Sequence, residues 1–196
     1  AIGDSALFNN GIGATGAQAT GNTAVGSKAL YTNTTGSLNT ASGYNALYSN
    51  TTGYFNTANG WQALYANTTG YANNANGVWA LRYNTTGVNN TASGYTALYV
   101  NTTGSGNNAI GVGALYSNVA GSNGVAIGYN SQLYANNTAT AWDNTNTSVG
   151  FQSLMGSTIA ANNTGVNNTA IGRDALLSNT TGTQNTAIGV QALQFN

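Results

Sequence analysis

The sequence predicts an all-β chain, a parallel β-solenoid (β-roll) of about eleven 17-residue coils with two short strands per coil. Three observations carry that expectation. A unit of the form Asn-Thr-Ala-x-Gly-x-x-Ala-Leu-Tyr-x-Asn-Thr-Thr-Gly-x-x starts at Asn22, Asn39, Asn56, Asn73, Asn90 and Asn107, an unbroken interval of 17. Ala and Leu recur in fixed columns of that unit, as the wall of a stack requires. A Gly in every unit interrupts any helical stripe and invites turns. The Gly, Asn, Ser and Thr content alone would suit a disordered chain, but a solvated linker has no need of invariant Leu and Ala columns.

With Asn22 at phase one, phase three is Ala (Ala24, Ala41, Ala58, Ala75) and phase five is Gly (Gly26, Gly43, Gly60, Gly77). A strand turns its faces over at every residue, so phases three and five share one side of the first strand. Phases six and seven make a corner. Leu at phase nine (Leu30, Leu47, Leu64, Leu81, Leu98, Leu115) is expected to point inward from the second strand, with Asn-Thr-Thr-Gly, as at Asn33 to Gly36, forming the other corner. On that alternation the phase-eight residues Ala29, Ala46, Ala63, Ala80, Ala97 and Ala114 face outward. A column that stays small suits a close neighbour, such as another copy of the chain, and makes these residues a candidate association face. Ala fitting a crowded pleat or turn is the alternative. At ~4.8 Å per coil the array would be a rod of roughly 50 Å.

The whole chain, 1-196, reads as a single solenoid repeat array with enlarged coils at 1-21, 124-145 and 146-167. The units Gly124 to Thr145 and Asn146 to Asn167 each carry five extra residues, which bring in Trp142, Asp143 and Met155. Insertions in solenoids commonly gather on one binding face, so a joint bulge is expected, with tolerated surface loops as the alternative. Ala1 falls at phase three and Asn196 at phase twelve, which suggests an excerpt or processed piece of a longer array.

Composition narrows the chemistry. Among 196 residues there is no His, Cys or Pro, and the charges are Asp4, Lys28, Arg82, Asp143, Arg173 and Asp174, for a net charge of zero. No basic surface exists to neutralise phosphates, so nucleic acid is not an expected partner. No apolar run is long enough to span a bilayer, so membrane insertion is not expected either. General acid and base work needs a positioned titratable group, and three Asp scattered at 4, 143 and 174 supply no site. Clustered carboxylates for a metal are missing as well. The chain is therefore not expected to be an enzyme or to hold a cofactor. Asp174 beside Arg173 suits a solvated pair, and Asp4 and Lys28 sit where they could pair across adjacent coils.

The Asn-Thr-Thr corner supports two roles. Asn33, Asn50, Asn67, Asn84, Asn101 and Asn179 lie in N-x-[ST] sequons and are candidate glycosylation sites along one edge. Alternatively each Asn begins a turn and joins a ladder of side-chain amides along the stack. An ice-binding Thr face is a third idea, opposed by the adjacency of the two Thr, which would alternate faces in a strand. Tyr31, Tyr48, Tyr65, Tyr99 and Tyr116 form a column at phase ten, and Tyr44, Trp61 and Tyr95 stand at phase six in coils whose phase four is polar. Such ranks suit a sugar or a host surface, stacking between coils, or a neighbouring protomer.

Asn168-Thr-Ala-Ile-Gly172, Asn185-Thr-Ala-Ile-Gly189, Asn22-Thr-Ala-Val-Gly26 and Gly124-Val-Ala-Ile-Gly128 resemble the Asn-Ser-x-Ala-Ile-Gly signature of YadA-like heads in trimeric autotransporter adhesins. Related repeats occur in phage tail fibres and other bacterial surface proteins. The resemblance implies a left-handed parallel β-roll, three chains side by side, and display outside the cell for attachment. The expected function is a non-catalytic structural or adhesive segment of an extracellular surface fibre. Its partners would be itself, as trimer or filament, and a host surface or glycans. The alternatives are a self-stacking extracellular filament subunit, glycosylated or not, and a glycan-binding module.

Overall fold

The computed structural model describes residues 1–15 and 18–195; Asn196, one of the two phase markers above, lies outside them. Strands β1 (Thr23–Val25), β2 (Thr40–Ser42), β3 (Thr57–Asn59), β4 (Asn74–Asn76), β5 (Thr91–Ser93) and β6 (Asn108–Ile110) follow at the repeat interval. They continue as β8 (Val125–Ile127), β10 (Thr147–Val149), β11 (Thr169–Ile171) and β12 (Thr186–Ile188), after short pieces β7 (Gly121–Ser122) and β9 (Trp142–Asp143). The principal sheet has ten strands in the order β1-β2-β3-β4-β5-β6-β8-β10-β11-β12, and β7 pairs with β9 in a second sheet. All pairs are parallel and stay in column: Ala24 lies against Ala41, and Ala126 against Ser148. The chain is an all-β parallel solenoid.

Each three-residue strand buries its middle residue and leaves the outer two exposed or half-buried, so Ala24, Ala41 and Ala58 line the interior. Phase-five Gly follows with a positive φ, +134° at Gly43, where a Cβ would stand 2.5 Å from the Gly60 carbonyl oxygen. Backbone lies on backbone there, and no side chain fits.

Among the described residues most coils hold one strand, not two; only the coils of β6 and β8 add a second short piece, β7 and β9. The return arm is a run of turns with positive φ at phases seven and nine, 55° at Lys28 and 51° at Leu30, and the pattern repeats at Asn45 and Leu47. An extended strand sends neighbours to opposite faces, whereas this left-handed alternation sends Ala29 and Leu30 both inward. Ala29, Ala46, Ala63, Ala80, Ala97 and Ala114 are each fully buried, packed in one core with the Leu column. The expected association face is therefore corrected: those Ala residues are core, small because two columns share the space of one. Holding a Leu in the left-handed region costs about 1–2 kcal/mol, and burying its side chain returns about 1.5–3 kcal/mol.

The second corner is held by converging donors. The N–H groups of Thr34, Thr35 and Gly36 all donate to the Thr51 carbonyl, at 3.0, 3.0 and 3.1 Å. The Thr34 hydroxyl donates to the same oxygen at 3.0 Å. Thr51, Thr52 and Gly53 repeat this onto Thr68.

The interior changes character at the enlarged coils. One apolar cluster runs from Ala24 to Ala126 and Ala135, and a second begins at Leu154. Between them Ser131, Gln132, Ser148 and Ser153 stand where other coils place Ala, Leu, Ala and Ala, all buried. Ser131 and Ser153 hydroxyls are 3.0 Å apart, and Gln132 Nε2 donates to Ser148 Oγ at 3.0 Å. Hydrogen bonding satisfies this polar layer but leaves the two apolar clusters separate.

Candidate recognition face

The Asn of the Thr-Thr corner points inward, not outward. Asn50 Nδ2 donates to Asn33 Oδ1 at 2.8 Å and to the Gly53 carbonyl at 3.0 Å; Asn67, Asn84 and Asn101 continue the ladder at 2.8 Å per rung. Asn33, Asn50, Asn67, Asn84 and Asn101 are fully buried, and Asn179 is 5% exposed with its amide on the Gly182 carbonyl. Glycosylation at these six positions is corrected accordingly: the Nδ2 that would carry the sugar is an interior donor, and a glycan has no room inside the coil. Phase one forms a second ladder, in which Asn56 N–H donates to Asn39 Oδ1 at 2.9 Å and Asn56 Nδ2 to the Gly70 carbonyl at 2.9 Å.

With both Asn columns inside, the outward surface belongs to Thr, aliphatic and aromatic ranks. Phe8, Tyr31, Tyr48 and Tyr65 stack in succession at 5.2, 5.2 and 5.3 Å between ring centroids, and Tyr99 stacks on Tyr116 at 5.1 Å. Each contact adds about 0.5–1.5 kcal/mol beyond area burial. The inner rings of this column turn their faces to one another, so it serves stacking between coils and presents edges outward.

The column is interrupted at Arg82, which takes a phase-ten position between Tyr65 and Tyr99. Its guanidinium carbon lies 5.8 Å from the Tyr65 ring centre, 5.9 Å from Tyr99, 5.8 Å from Trp79 and 4.9 Å from Tyr83. Nε donates to Gln62 Oε1 at 3.0 Å, and Nη1 donates to the Tyr83 and Tyr99 hydroxyls at 2.6 and 3.1 Å. Trp79 Nε1 donates to the same Gln62 oxygen at 3.1 Å. Trp61 and Tyr95 flank Trp79 at 5.3 and 5.5 Å, each tilted by 39°. Trp61 is 42% exposed and Tyr95 48%. Hydrogen bonding with Tyr99 and then desolvation raise the Tyr83 pKa, against the pull of Arg82; burial, then the neighbouring phenols, raises that of Tyr116.

Sequence reasoning found the Tyr column and Trp61 but missed Trp79, Gln62 and the central place of Arg82. The available signal was the interval: residues 62 and 79, and 65, 82 and 99, are stacked neighbours at the period of 17. Of the charged residues, Arg173 and Asp174 form the one ion pair among the described residues, at 3.1 Å, with Asp174 largely buried rather than solvated. Asp4 and Lys28 meet through backbone, Lys28 N–H to the Asp4 carbonyl at 2.8 Å. No group of three or more potential metal ligands exists among the described residues.

The two enlarged coils meet beside their insertions. Asn163 Nδ2 donates to the Tyr134 carbonyl and, at 2.9 Å, to that of Ser157, while Ser157 N–H donates to Asn163 Oδ1 at 2.9 Å. A cavity of about 20 Å³ lies beside them, lined by Trp142, Asn144, Asn163 and Asn179 among others. That space suffices for one water and no more. The exposed ring face between coils is thus the better candidate for recognition.

Comparison with family models, with curated proteins and with solved structures finds no match to this chain.

Proposed function

We propose that the chain is a non-catalytic segment of an extracellular surface fibre, in which a rigid stack of coils displays an adhesive aromatic flank. One observation carries the reading: the exposed rings of Trp61 and Tyr95 flank Trp79, over whose ring the Arg82 guanidinium lies, on a backbone held coil to coil by hydrogen bonds. Large amphipathic rings on a scaffold that needs no reorganisation lose little entropy on binding. The resemblance to YadA-like heads supports the extracellular setting and association of three chains.

A second reading, a self-stacking filament subunit with a structural role, is favoured by the outward aliphatic positions Ile110, Ile171 and Ile188, all exposed in the single chain. A chain with so little charge has little repulsion to keep copies apart. Light scattering with negative-stain microscopy separates the two: discrete trimers favour the adhesive head, and long filaments favour the structural subunit. Well-behaved monomers at all concentrations would refute both assemblies.

A further inference from the structure

We propose that Arg82, Trp61, Trp79 and Tyr95 form a subsite for an acidic polysaccharide, in which Arg82 takes the carboxylate of a uronic acid unit. This deepens the adhesive reading and rests on it. The argument begins with charge. Arg82 is the only charged residue between Lys28 and Asp143, and no carboxylate pairs with it, the single ion pair among the described residues being Arg173 with Asp174. A guanidinium is never neutral at ordinary pH. No carboxylate among the described residues pairs with it, which leaves the guanidinium open to an anion from outside.

The side chain is also aimed and held. Tyr65 and Tyr99 lie to either side along the stack, Nε is engaged by Gln62, and Nη1 by the two phenols, all neutral acceptors. Nη2 has no hydrogen-bond partner among the described residues. A guanidinium fixed on three sides loses little rotamer freedom when it takes an anion, and its bond to a carboxylate is roughly twice as strong as a neutral one.

Sugar is favoured over an acidic peptide by the surroundings. Trp61 and Tyr95 offer exposed rings with polar edges, suited to the C–H face and hydroxyl rim of a pyranose. At phase six Tyr44 precedes Trp61 and Tyr95, and at phase ten Tyr116 follows Tyr99, so aromatic surface extends along the rod beyond a single sugar unit. The cavity at the enlarged coils, about 20 Å³, is too small to seat an apolar peptide anchor.

The test uses the full chain, with binding of polygalacturonate followed by tryptophan fluorescence and by calorimetry, and dextran as the neutral polymer. Polygalacturonate is expected to bind, more weakly as salt rises, and Arg82→Gln to lower its affinity about tenfold or more without affecting dextran. Should Arg82→Gln fail to fold, Trp61→Ala keeps the question open to measurement, since that ring is 42% exposed; it too must weaken polygalacturonate binding. Phe151→Ala, on a separate stack with Tyr129, should leave binding unchanged. Polygalacturonate affinity equal in Arg82→Gln and wild type overturns the carboxylate subsite. Equal binding of both polymers, lost in Trp61→Ala, overturns it as well while leaving the adhesive flank standing. No binding of either polymer overturns the subsite, and if the protein also fails to bind any cell surface the adhesive reading falls with it.

Discussion

Replacing Asn67 by Ala tests whether the buried amide ladder holds the stack. Asn67 is fully buried, its Nδ2 donates to Asn50 Oδ1 at 2.8 Å and the Gly70 carbonyl at 3.0 Å, and its Oδ1 accepts from Asn84 Nδ2 at 2.8 Å. The substitution leaves Asn50 Oδ1 without a donor and one Asn84 N–H without an acceptor. The Gly70 carbonyl keeps the Asn56 amide at 2.9 Å. Two buried orphans at about 1–3 kcal/mol each place the loss near 2–6 kcal/mol. The chain contains the reverse case: Asn118 Oδ1 is buried without a partner because the next coil has Ala135 at phase twelve. Ala135→Asn should supply that donor and stabilise by about 1 kcal/mol. Guanidinium unfolding followed by circular dichroism measures both. The ladder account fails if Asn67→Ala costs under about 0.5 kcal/mol or if Ala135→Asn destabilises.

Gly43→Ala, with φ +134° and a Cβ 2.5 Å from the Gly60 oxygen, should lower stability by at least about 2 kcal/mol in the same unfolding assay. Because Tyr83 and Tyr116 have pKa values raised above 10.0 in the fold, unfolding lets them ionise earlier; their stabilising contribution is complete below pH 10.0 and is lost as pH climbs through the higher folded values. A phenolate absorbance titration should show a late-ionising subset that disappears in denaturant. Expressed through a glycosylating secretory route, folded protein should show no sugar at Asn33, Asn50, Asn67, Asn84 or Asn101 by peptide mass; occupancy there in folded material would contradict the buried ladder.

Much of the fold was legible because the period of 17 fixes which residues are stacked neighbours. From Asn22 to Asn107 that interval is unbroken, and the strand columns follow directly. The enlarged coils keep the same columns, since Val125 pairs with Thr147 despite five further residues in between. The aromatic flank was partly legible, through Tyr31, Tyr48 and Trp61. Arg82 was not, because its role depends on Gln62, Tyr65 and Tyr99 arriving from the neighbouring coils.

The sequence by itself determined the repeat, the parallel stack, the columns of Ala, Gly, Leu and Asn, and the scarcity of charge. Only the tertiary structure decided which way those columns face. Leu30 and Lys28 at positive φ turn the return arm into a series of left-handed turns, and that conformation puts Ala29 and Leu30 together inside. Residue type does not announce such a choice, since neither Leu nor Lys favours it. Hydrogen bonds from coil to coil, such as Leu30 N–H to the Ala46 carbonyl at 3.0 Å, impose it. The same stacking carries Asn33 inward to its ladder and leaves the rings of Trp61 and Tyr95 as the surface a partner would meet.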